Sequence, residues 1–227
     1  MRILLGLILL AGAPAMAWAQ NAGPVLEALR RSFPVEHGAL SAQVRGQPAA
    51  AQRRLAGEAM ERFRLNHLES ILAAPGSRLI ALEVRHGAML RALQRRDVRL
   101  CALLGDRGFL GPEARAAAPP PGLDDYAVAV IEAAAAGRGR PAPAAVTRED
   151  FQAWFDAVAR REPNVPVRQM LTDRALRERA TPEQMCAGAA AMHEAVADLP
   201  PERAARVAAT LTRSALGVRP AATGANP

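Results

Sequence analysis

Lysine is missing altogether, since all 29 basic residues are arginine. Cysteine occurs twice, tyrosine once, and aromatic residues make up only 4% of the chain. Each scarcity excludes something. Cys101 and Cys186 leave no Cys-x-x-Cys, so neither a thioredoxin-type redox pair nor a c-type haem attachment sequence is present. Few aromatics offer little surface for stacking bases, and the arginine pairs Arg30-Arg31, Arg53-Arg54, Arg95-Arg96 and Arg160-Arg161 are scattered, so nucleic acid is not an expected partner. The four histidines include no His-Glu-x-x-His, and Ser32, Ser41, Ser70, Ser77 and Ser214 include no Gly-x-Ser-x-Gly elbow. Carboxylates do not recur at calcium-loop spacing. No motif calls for a cofactor, and the reading leans away from an enzyme.

The one continuous apolar run, Ile3 to Ala11, falls short of the roughly 20 residues a membrane helix needs. Preceded by Arg2 and followed by Ala17-Trp18-Ala19, it predicts a bacterial signal peptide cleaved after Ala19, hence a periplasmic or secreted product. The net charge of +7 loses Arg2 with that leader and stays basic. Positive charge outside the cytoplasm favours an acidic envelope protein, an anionic lipid surface or a cell-wall polymer as partner. The exclusive use of arginine beside abundant alanine reflects a GC-rich coding bias and is not evidence for any ligand.

Apolar residues recur at helical spacing through most of the chain, and no alternating run of β-branched residues interrupts them. The fold class read from this is all-α: an irregular bundle of about eight or nine helices. Expected spans are Pro24 to Ser32, Pro34 to Val44, Pro48 to Ala73, Ser77 to Leu104, Asp124 to Ala136, Arg148 to Arg161, Val167 to Ala180, Pro182 to Asp198 and Pro201 to Leu216. The third and fourth would make a long central hairpin turning at Ala74-Pro75-Gly76. Thr181-Pro182-Glu183-Gln184 and Thr147 with Asp150 are helix-start signals. Residues 20–217 read as a single domain with a seam at 105–146, where glycines and Pro119-Pro120-Pro121 gather, and 218–227 read as a disordered tail.

In an oxidising compartment Cys101 and Cys186 are expected to pair. On the chain-entropy view such a closure stabilises the fold by about 4–5 kcal/mol at most.

The central hairpin carries polar intruders on apolar faces. His67 follows Ala56, Met60 and Phe63, while His86 and Asp97 interrupt the stripe of Leu79, Leu82, Met89 and Leu93. In an antiparallel pair the two imidazoles would differ by about 3 Å along the axis. With Met60 and Met89 near by, His67 and His86 form a candidate metal or haem set. The plainer alternative is a pair of buried histidines hydrogen-bonded to backbone, Glu83 or Asp97, with methionines filling gaps. His193 lies one heptad after Cys186, about 10 Å along a helix, too far for a cysteine–histidine dyad. Trp154, Phe151, Phe155 and Val158 make an apolar helix face.

Glu69-Ser70 resembles the catalytic Glu-Ser of lytic transglycosylases, which implies a glycan-cleaving carboxylate at Glu69. The resemblance spans two residues, and that family's downstream Gly-Leu-Met-Gln is absent. The leading expectation is therefore a non-enzymatic envelope interaction or structural module. A small metal or haem protein and a cell-wall glycan hydrolase are the alternatives.

Overall fold

The computed structural model describes residues 23–107 and 119–215. The expected leader at 1–19, the tail at 218–227 and part of the glycine- and proline-rich seam lie outside these. The described residues are all-α: α1 Gly23–Ser32, α2 Pro34–Val44, α3 Ala49–Asn66, α4 Leu68–Leu72, α5 Gly76–Gln94, α6 Val98–Arg107, α7 Leu123–Ala136, α8 Arg148–Arg161, α9 Val165–Thr172, α10 Arg174–Arg177, α11 Pro182–Glu194, a 3-10 turn Ala195–Asp198, and α12 Pro201–Ala215. Among them no helix is long and apolar enough to cross a membrane.

Local chemistry explains most boundaries. Thr147 accepts from the Asp150 N–H while the Asp150 carboxylate accepts from the Thr147 N–H, closing a capping box that starts α8. Thr181 and Gln184 do the same for α11, with Pro182 in the first turn. Three long spans of the sequence reading are broken, two of them by aspartates that side with the next helix. Asp97 Oδ1 accepts from the Leu100 N–H, ending the α5 run and starting α6. Asp173 Oδ1 accepts from Ala175 and Leu176, separating α9 from α10. The third break falls at His67, whose backbone (φ −110, ψ 12) departs from the helix between α3 and α4.

The expected central hairpin is also rearranged. The α3 helix packs chiefly along α2, at the edge of the molecule, while α5 lies at the centre against α11, α12, α7 and α6. Composition gives the reason. The α5 face offers Leu79, Leu82, Met89, Leu90 and Leu93, all buried, whereas α3 buries only Phe63 and Arg64. Burying a leucine stabilises by roughly 1.5–3 kcal/mol, so the leucine-rich helix takes the centre.

The long α11 is built largely of small residues and approaches two neighbours closely. A Cβ on Gly87 of α5 would stand 2.6 Å from Glu194 Cγ and 3.1 Å from the Ala190 carbonyl oxygen. One on Gly105 of α6 would stand 2.5 Å from Ala189 Cβ. The Cys101–Cys186 disulfide joins α6 to α11, with Cα atoms 5.3 Å apart. Buried apolar residues from Val25 in α1 to Leu211 in α12 form one contiguous core.

Candidate metal centre

The interior holds an unusual polar cluster where α5, α11 and α12 meet. Glu83 and His86 are one turn apart on α5, so both point from the same face. His193 comes from the last turn of α11, and Thr212 from the end of α12. Glu83 is 1% exposed, His86 2% and His193 7%, which removes the cluster from bulk solvent. Burial on this scale requires partners. His193 Nδ1 lies 2.5 Å from Glu83 Oε2, and the Thr212 hydroxyl donates to Glu83 Oε1 at 2.6 Å. The His86 and His193 rings lie 4.0 Å apart between centroids at a tilt of 38°, and the Tyr126 ring of α7 lies 4.8 Å from His86.

The surroundings set the protonation of this group. Burial above all, then the neighbouring His193 and Arg64, holds the His86 imidazole well below its ordinary range. It is therefore neutral at physiological pH, the form that coordinates metals. Burial pushes the Tyr126 phenol up to about 12, opposed by Arg64 and reinforced by the charge on Glu83. Arg64, itself buried, brings a compensating positive charge to the edge of the cluster.

One ligand atom from each of Glu83, His86 and His193 lies within 4.8 Å of the others. Two imidazoles and one carboxylate suit borderline divalent ions such as zinc, nickel, copper or ferrous iron, and not calcium or magnesium. Bonds of about 2.1 Å at tetrahedral or octahedral angles place ligand atoms about 3.0–3.4 Å apart. The Glu83–His193 pair would spread by about half an ångström to admit an ion, and His86 would close in. Thr212 keeps Glu83 Oε1 occupied, leaving Oε2 as the single ligating oxygen.

The sequence reading placed His86 in such a set with other companions. His67 instead lies 2.9 Å from Glu36 of α2 and packs against Phe33 and Phe63. Met60 lines a groove of about 140 Å³ between α2 and α3, and Met89 is buried beside Gly122. The pairing of His67 with His86 fails because α3 follows α2, not α5. Glu83 was visible in the sequence only as a hydrogen-bond partner for His86, and His193 only as a residue too far from Cys186. The spacing Glu83-x-x-His86 was the available signal. Nothing local announces that His193, 110 residues from Glu83, completes it.

Other sequence candidates are placed plainly. Glu69 is exposed on the five-residue α4. Trp154 is buried and donates Nε1–H to the Met192 carbonyl, while Phe155 borders a groove of about 320 Å³ between α8 and α9. No protein-family model, curated protein or solved structure matches the chain.

Proposed function

We propose that this chain is an exported helical protein, periplasmic or secreted, that binds one transition-metal ion through Glu83, His86 and His193. The observation that carries the reading is the convergence of three buried ligand atoms of the right chemistry from two different helices. The neutral state of His86 and the Thr212 hydroxyl that orients Glu83 support it further.

Chelator-stripped protein titrated with zinc against a chromophoric competitor should bind one equivalent. His193→Ala and His86→Ala should each weaken binding by about 100-fold or more, while His67→Ala leaves it unchanged. Absence of zinc uptake by folded wild-type protein, or loss with His67→Ala alone, would refute the assignment.

A second reading, the envelope interaction module, is favoured by three exposed arginines, Arg95, Arg96 and Arg99, at the α5–α6 corner. It predicts salt-sensitive retention on vesicles rich in anionic lipid, lost in the triple Arg→Gln variant. The glycan hydrolase is the least supported. It predicts murein clearing that Glu69→Gln abolishes.

A further inference from the structure

Resting on the metal reading, we propose that closure of the Cys101–Cys186 disulfide strengthens metal retention, so that the site reaches full affinity only after the chain has met an oxidising environment. The bridge starts on one ligand-bearing helix, α11, and lies against the other, α5. Cys186 precedes His193 on α11 by two turns, and both sulfurs lie against the Leu90 carbonyl of α5, 3.2 and 3.9 Å away and one turn beyond His86.

Where α11 meets α5 and α6 around the bridge, its packing is made chiefly of small-residue contacts at Gly87, Ala189, Ala190 and Gly105, with Arg91–Glu194 and Glu83–His193 as the polar ties to α5. Such contacts fix a close approach but bury little apolar area for each residue, and the bridge adds a covalent tie at that seam. Between Glu83 and His193 the chain runs 110 residues. Through the bridge the same path shortens to about 25 residues, and for a flexible chain ring closure that scales with the 3/2 power of length would favour meeting of the ligands roughly tenfold, an upper figure for segments that are helical.

The chemistry is a disulfide exchange with an external disulfide. One cysteine thiolate attacks that oxidant and expels its first thiolate. The other cysteine thiolate then attacks the mixed disulfide, forming the Sγ–Sγ bond and expelling the second. Two protons leave the protein thiols, and the external disulfide takes up the two electrons. Both cysteines are fully buried in the folded chain, so control acts at assembly and the finished site keeps its bridge.

The test measures zinc affinity by chelator competition in three samples of full-length protein: oxidised wild type, Cys101→Ser/Cys186→Ser, and Cys101→Ala/Cys186→Ala. Serine and alanine remove thiolates as competing zinc ligands. The proposal expects affinity weaker by several-fold and up to about tenfold in both unbridged samples, with the circular dichroism of the oxidised protein retained. Equal affinity with and without the bridge overturns it. Parallel loss of helicity and zinc also overturns it, because the bridge would then serve the fold as a whole. Failure of the oxidised protein to bind zinc strikes the metal reading instead.

Discussion

His67–Glu36 and His193–Glu83, two histidine–glutamate pairs among the described residues, share chemistry but not surroundings. His67 and Glu36 meet at 2.9 Å between the edge helices α2 and α3, with side chains 21% and 38% exposed. His193 and Glu83 meet at 2.5 Å between the central helices α5 and α11, with side chains 9% and 2% exposed. Water screens the first pair and competes for its hydrogen bonds, so its contribution is small. The second has given up its hydration and depends wholly on the partners the fold supplies. Depth, more than residue type, decides which pair the architecture must be organised around.

The largest test of that difference removes the central carboxylate. Glu83→Ala leaves His193 and the Thr212 hydroxyl without their buried acceptor and should cost about 3–5 kcal/mol in urea unfolding. A loss under about 1 kcal/mol would mean that the interior pair behaves like the edge pair.

Asp150 supplies an intermediate case. It is buried on α8, receives hydrogen bonds from Arg203 and Arg206 of α12, and has partners that reach solvent. Asp150→Ala should cost about 2–3 kcal/mol. The Arg206 guanidinium, ahead of the Thr147 contacts, holds its carboxyl well below the usual range. A depressed acid stabilises the fold above its unfolded value of about 3.9, and that gain disappears as the pH falls through the folded value. The stability gap between wild type and Asp150→Asn should therefore be full at pH 6 and shrink below about pH 4.

Glycines carry the same contrast into packing. Gly87→Ala, next to His86, forces α11 away from α5 and should cost about 1–3 kcal/mol while weakening zinc binding. Gly57→Ala in α3 meets nothing within 4 Å and should stabilise by about 0.5–1 kcal/mol. The reverse order would place the tight interface on the wrong side of the molecule.

Smallest of all should be Glu36→Gln, below about 1 kcal/mol and smaller still in concentrated salt. A salt-independent effect of several kcal/mol would show that the edge pair is in practice desolvated.

The sequence made the helical class and the capping boxes legible because both are written in residues a few positions apart. Pro34–Val44 and Arg148–Arg161 were read to the residue, and Thr181 with Gln184 marked the start of α11. The disulfide was legible by count, since two cysteines allow one intramolecular pairing. The breaks at Asp97 and Asp173 were not, because an aspartate can sit within a helix or cap the next one, and the choice depends on where each helix must pack.

The site divides along the same line. Glu83 and His86 share a helix face by spacing alone, so the sequence by itself settled that they lie together. That His193 joins them, and His67 does not, was decided by the tertiary structure. Helical periodicity fixes which face of α3 or α5 is apolar, but not which other helix covers it. That choice follows from competition among whole faces for burial, in which the leucines of α5 and the small residues of α11 combine apolar burial with a close approach.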